Sequence, residues 1–310
     1  MAGQMDVVSL KGRREAEGAR SARGIGVEAA GVGPWLVGEW LACGLVLLLV
    51  YHAVVADLWM GWMTNQDFSH GVLVAPFVLY LGWSRRKVLA RTRLSPSWTG
   101  AVLLLAAFAM RMAGLHYYYG SLERLSLVVA VWGAVLLLAG REVFRNLRGP
   151  LTLLLLMVPP PTRATEAVTL PLQRMAARCA ASVLSAMGWD VIREGNVLRL
   201  PLQSLEVAAA CSGLRMIFAI VTLGGAMVCL SDRPRWERIV LVASTVPLAI
   251  AINVVRVVAT AMLSDTWPTA FSPGRIHDAA GWLMMPVALT LLWLEQRFLS
   301  SLFVDPDVAP

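Results

Sequence analysis

IVLVASTVPLAIAINVVRVVATAML, running from Ile239 to Leu263, decides the fold class. A helix that crosses a bilayer needs about 20 mostly apolar residues, within a range of about 17 to 25. This stretch meets that length, and Arg256 is its only ionisable residue. Comparable runs flank it: Trp40 to Ala56, Trp98 to Met110, Leu125 to Gly140, Ser212 to Leu230 and Ala279 to Leu294. The shorter ones gain length from bordering Trp, Tyr or Arg, whose polar tips snorkel to the interface. Of the 310 residues 57% are hydrophobic and 15% charged, with a mean hydropathy of +0.64. A soluble domain carries nearer about 25% charged residues. The expected fold is all-α: a polytopic transmembrane helical bundle of about eight spans.

The net charge of +7 and pI near 9.7 do not point to nucleic acid, because of where the charge sits. Basic residues fall in short clusters beside the apolar runs, at Lys11 to Arg23, Arg85-Arg86-Lys87, Arg141 to Arg148 and Arg233 to Arg238. Such clusters mark cytoplasmic loops. Residues 1–34 then form a basic cytoplasmic extension, 35–297 a membrane-embedded domain, and 298–310 a cytoplasmic tail. No cleavable signal peptide is visible, and the first span reads as an uncleaved anchor. The loop through Asn65 and His70 falls outside, as do the starts of the sixth and eighth spans. The fifth crossing is irregular. Leu151 to Val158 is apolar but short, and Pro159-Pro160-Pro161 ends any regular helix. Thr162 to Met187 is amphipathic, carrying Arg163, Glu166, Gln173, Arg174 and Arg178, and suits the outer interface or a tilted, broken crossing. Two alternating runs around Glu194-Gly195-Asn196 predict a short extended or hairpin segment on the outer face, leading to Glu206 and Cys211.

Cys211, Arg256 and His277 fall at the same predicted end of three different spans. Each also has an ordinary reading. A membrane cysteine is usually a small inert residue, which suits Cys43 and Cys229. An arginine near a span end snorkels to lipid phosphate, and a histidine opening a helix is often a solvated cap. Cys211 stands apart through its surroundings: Ser212-Gly213 follow it, Arg215 lies one helical turn on, and a helix begins there. Both a helix N-terminus and a nearby cation favour the thiolate. Arg256 has apolar residues on both sides and Asn253 one turn before it, and charge at that depth tends to face the protein interior or a wet cavity. His277 is followed by Asp278 and Gly281. His70 lies in the same outer region, whereas His116 beside Tyr117-Tyr118-Tyr119 suits an interfacial aromatic belt.

If the three groups meet, their chemistry is acyl transfer. The thiolate attacks a carbonyl, the imidazole moves a proton to the leaving amine, and the fixed cation stabilises the oxyanion. No HExxH, GxSxG, GxGxxG or phosphate loop competes with this set. The cysteines lack CxxC spacing, so no metal site is expected, and no cofactor is called for.

Glu206-Val-Ala-Ala-Ala-Cys211-Ser-Gly-Leu-Arg215 resembles the signature of the exosortase/archaeosortase family. So do Asn253-Val-Val-Arg256-Val and His277-Asp278 with Gly281, in the same order. Asp67-Phe68-Ser69-His70-Gly71, Val158-Pro159-Pro160-Pro161 and Arg193-Glu-Gly195-Asn-Val resemble its flanking features, so the likeness covers about residues 35 to 297. The resemblance implies a transpeptidase-like cysteine protease of the inner membrane, working at the periplasmic face. Its partners would be membrane lipid and exported proteins with a C-terminal sorting signal: a Pro-Glu-Pro type motif, a transmembrane helix and a basic tail. Cys211, Arg256 and His277 take the family's catalytic positions, supported by Arg215, Glu206, Asn253, Asp278 and His70. An association with exopolysaccharide gene clusters is also implied. Phe68 departs from the more usual Tyr, and an appended soluble domain of the kind fused to some members is not expected. Two other readings stand beside this one. One is a non-enzymatic permease or assembly factor of exopolysaccharide export, and the other a redox protein using Cys179 and Cys211.

Overall fold

A computed structural model of the protein describes residues 34–207, 213–231, 233–267 and 273–302. The chain divides into two compact units, Met1–Leu45 and Val46–Pro310. The first contributes the opening turns of helix α1; the sheet and the remaining helices belong to the second.

The helices are α1 (Pro34–Thr64), α2 (Gly71–Ser84), α3 (Arg86–Arg91), α4 (Trp98–His116), α5 (Gly120–Leu138), α6 (Arg141–Leu153), α7 (Thr162–Ala186), α8 (Gly213–Leu230), α9 (Arg235–Thr266) and α10 (Pro273–Leu302). Four among the described residues are long and apolar enough to cross a membrane: Gly38–Thr64 of α1, then α4, α5 and α9. Two more, α2 and Leu214–Leu230 of α8, are apolar but shorter. This is a helical membrane bundle. Its outward faces carry large apolar side chains, with Leu79 75%, Leu105 70% and Ile239 68% exposed. Such a surface suits hydrocarbon rather than water.

Helix ends follow the chemistry of the sequence with two differences. Helix α1 continues two turns past Ala56, where Asp57 gains an ion pair with Arg124 at 2.7 Å. The basic run from Arg141 to Arg148 is not a loop but most of helix α6. Its face buries Val143 and Leu151 while Glu142 pairs with Arg145 on the exposed side.

Helices α4 and α5 form a tight hairpin. A Cβ on Gly100 would lie 2.3 Å from the Leu137 amide nitrogen and 2.6 Å from the Gly133 carbonyl. Small residues let membrane helices approach backbone to backbone, where dispersion does the holding. The connection turns at Tyr118, whose φ of 53° is left-handed, and leaves Tyr117, Tyr118 and Tyr119 exposed.

The predicted hairpin is present as β1 (Ile192–Glu194) and β2 (Val197–Arg199), paired Glu194 to Val197. Gly195 takes the first loop position at a φ of 66°, which glycine adopts without a Cβ penalty. A third strand, β3 (Ser204–Glu206), adds to β2 with Leu198 opposite Leu205. These two leucines are buried against Ala177, Ala180 and Leu184 of α7 and Val257 and Ala261 of α9. The Leu202 amide donates to Asp265 Oδ1 at 3.0 Å, latching the β2–β3 connection to the end of α9.

Gly133→Leu should force α4 and α5 apart, destabilising the protein by about 1–3 kcal/mol through overpacking. Unfolding followed in detergent would read this as a lowered midpoint, with Gly82→Leu, at an open position, as the tolerated comparison.

Candidate active site

Helix α9 separates two apolar clusters. On one side Leu241, Ala249 and Ile252 pack with Met216 and Ile220 of α8 and with Met284, Ala288 and Leu292 of α10. On the other, Val257, Val258 and Ala261 pack with α7 and the sheet. Arg256 follows Ile252 by four residues and precedes Val257, so it sits where the two clusters meet. It is 2% exposed. Its Nη2 donates to Asn253 Oδ1 at 3.0 Å, and its Nε is buried with no hydrogen-bond partner among the described residues. One turn on, Thr260 is fully buried and its hydroxyl likewise lacks a described partner. A buried cation is costly unless paired. Among the described residues Arg256 is held by one neutral amide, which leaves donor capacity and positive charge for an anionic group.

Contacts along the helices fix which ends share a level. Position 224 of α8 abuts Thr245 of α9, where a Cβ on Gly224 would lie 2.4 Å from Thr245 Cγ2. The helices run antiparallel, so moving eleven residues along each sets Gly213, the first residue of α8, about level with Arg256. The same step works for α10. Ser244 donates to Glu295 Oε2 at 2.8 Å, so eighteen residues along each antiparallel helix position 277 is about level with position 262. That is about 9 Å along the axis beyond Arg256, at about 1.5 Å per residue.

The loop between α1 and α2 reaches the same end. Asp67 Oδ1 lies 3.7 Å from Arg215 Nε, and the His70 ring stacks on Phe218 with centroids 5.6 Å apart and planes 11° from parallel. His70 Nε2–H donates to the Leu156 carbonyl at 3.0 Å, and Trp62 Nε1–H donates to the Met157 carbonyl at 3.0 Å. The proline run explains why these carbonyls are available. Helix α6 tightens into a 3₁₀ turn over Leu154–Met157, and the Val158 amide donates to Leu155. The next amides would serve Leu156 and Met157, but residues 159 to 161 are prolines without an N–H. Burial pushes the His70 imidazole below its ordinary value, outweighing the opposing pull of the Leu156 and Asp67 carbonyls.

Of the residues singled out from the sequence, Arg256 and Asn253 form one buried unit, and Arg215 and His70 meet through the Asp67 loop. Glu206 ends β3 and is exposed, with the neighbouring Val207 amide donating to the Asn196 carbonyl at 2.9 Å. Cys211 lies outside the described residues. His277 and Asp278 lie in the first turns of α10, with their side chains outside the description. Cys179 is an exposed free thiol. Sequence reasoning missed Trp62, Phe218, Thr260 and Asp265. Only the tertiary fold reveals them, although a tryptophan beside an exposed span end and a threonine one turn after a buried arginine are weak signals.

The model of the transmembrane exosortase family matches residues 62–294. The chain belongs to the transmembrane exosortase family. No curated protein and no solved structure matches it. As an exosortase it is a membrane protein of the sorting-transpeptidase class. The match opens at Trp62 and takes in the Asp67 loop, the proline run, the sheet and helices α8 and α9.

Asn253→Ala removes the amide that holds Arg256 and should lower stability by about 1–3 kcal/mol, as for a buried polar group left unpaired. Asn253→Asp keeps an acceptor and adds a counter-charge, so it should lose less in the same unfolding measurement. His70 gives a pH signature. A histidine whose folded pKa is depressed binds protons more readily when unfolded, so stability falls as pH drops through about 6.5 and below. His70→Gln should flatten that acid-side loss in a series of melts across pH.

Proposed function

We propose that this exosortase is a cysteine peptidase or transpeptidase. It would remove the C-terminal sorting signal of exported proteins at the outer face of the cytoplasmic membrane. Cys211 is the nucleophile, Arg256 the oxyanion partner and His277 the proton shuttle, with Arg215, Glu206, Asn253, Asp278 and His70 in support. The observation that carries this reading is the level shared by Arg256 and the start of α8, two residues after Cys211 in sequence. Val207 before Cys211 and Met216 after it are both buried in clusters that flank Arg256. The basic clusters beside Arg85, Arg145 and Arg238 belong to the other end of these helices, which favours an outer location by charge asymmetry.

The reaction balances as an acyl transfer. The thiolate sulfur bonds to the scissile carbonyl carbon, and the carbonyl electrons move onto oxygen beside Arg256. The carbon–nitrogen bond breaks as His277 gives a proton to the leaving amine, which departs with the transmembrane helix and basic tail. Water or an acceptor amine then attacks the thioester, gives its proton back to His277 and frees the Cys211 sulfur. A sorting signal with a Pro-Glu-Pro type motif suits this site, because its helix lies in the bilayer and its scissile bond at the membrane surface.

The test is processing of a secreted protein bearing such a tail, co-expressed with each variant. Cys211→Ala should accumulate in the membrane at the parent level and leave the tail uncut; normal processing would overturn the reading in favour of a non-enzymatic role. Arg256→Lys should slow cleavage by about 100-fold, since a single ammonium replaces the planar fork.

A further inference from the structure

We infer that the loop Asn65–Gly71 is a positioning clamp for the helix that follows Cys211, with Asp67 and His70 as its positioning residues. This rests on the reading of Cys211 as the reacting thiol. Close packing at Gly224 and Thr245 sets α8 against α9 near the middle of α8, eleven residues from the end that follows Cys211. The clamp supplies directional contacts on one face of the first turns of α8. Arg215 and Phe218 are three residues apart, so they share that face. Asp67 meets Arg215 at 3.7 Å, and the rings of Phe68 and His70 lie 5.8 and 5.6 Å from the Phe218 ring. Those separations fall within the range at which aromatic pairs attract.

A clamp must itself be held, and this one is closed by a local turn and tied to the frame at two points. The Asp67 amide donates to Asn65 Oδ1 at 2.9 Å, closing a local turn. His70 Nε2–H is fixed on the Leu156 carbonyl. Gly71 packs against the Trp62 indole so closely that a Cβ would lie 2.2 Å from Trp62 Nε1, and the indole is anchored on Met157. The Asp67–Arg215 pair is partly exposed, at 31% and 27% for the two side chains. A pair of that kind adds little stability. Its effect is orientation: it sets where the guanidinium that follows Cys211 by four residues points.

The test reads the thiol directly, so it does not depend on whether tails are cut. In the full-length membrane protein with Cys43, Cys179 and Cys229 changed to alanine, Cys211 is alkylated by N-ethylmaleimide across a pH series. The label is quantified on the peptide carrying Cys211. Asp67→Asn and His70→Phe should each change the rate at pH 7 by about threefold or more, because the thiolate fraction follows the local cation and geometry. Asp67→Glu and His70→Gln, which keep the carboxylate and the N–H donor, should stay closer to the parent. Arg124→Gln, which breaks the Asp57 pair away from α8, should match the parent. Rates for Asp67→Asn and His70→Phe equal to the parent would overturn the clamp. If His70→Phe fails to accumulate, Asp67→Asn decides alone. Normal tail processing by Cys211→Ala would sink the proposed chemistry while leaving the labelling result intact.

Discussion

A guanidinium that is kept from both water and lipid has to be surrounded by protein, and that requirement organises the second unit. Arg256 comes after Ile252, which belongs to the α8–α10 cluster, and before Val257, which belongs to the cluster of α7 and the sheet. Three helices and a three-stranded sheet are therefore drawn to one stretch of α9. Hydrocarbon alone gives helices little reason to associate, since lipid tails are as apolar as leucine. A buried charge supplies that reason, because exposing it to the acyl chains is costly. The Asp265 latch on Leu202 and the Asn253 amide beside Arg256 add direction to what apolar contact leaves loose.

The two ends of these helices have different chemistry. At the basic end Arg85 donates to the Asn146 and Cys229 carbonyls, Gln296 donates to Ser231, and Ser244 donates to Glu295. These bonds tie α2, α6, α8, α9 and α10 to one another. At the Arg256 end, the Arg256 Nε and the Thr260 hydroxyl have no hydrogen-bond partner among the described residues.

Much of this could be read from the chain. Spans were legible because an unbroken apolar run of the right length has few other uses, and helix α2 ends at Ser84 where Arg85-Arg86-Lys87 begin. The hairpin was legible because Gly195 sits where a two-residue loop needs a left-handed residue. Strand β3 was not: Ser204-Leu205-Glu206 is too short to show a period, and its pairing depends on β2 already being in place. Arg256 announced itself as a charge inside an apolar run. The contacts of Trp62 and His70 could not, since their acceptors lie 95 and 86 residues away. The helical nature of Arg141 to Arg148 was hidden by its charge, which drew the eye to a loop and masked the buried face formed by Val143 and Leu151.

The proline run has a consequence for proton chemistry. An imino acid that withholds its hydrogen leaves a carbonyl, and a carbonyl can only accept. The oxygen at Leu156 therefore dictates which nitrogen of the neutral His70 ring carries the hydrogen: it must be Nε2. Nδ1 is then left with a lone pair, buried and without a hydrogen bond among the described residues, while the Asp67 carbonyl favours the protonated ring. Any proton that this imidazole takes up must arrive at Nδ1. Three prolines thereby act as a tautomer selector, setting the polarity of a ring that they never touch through their own side chains.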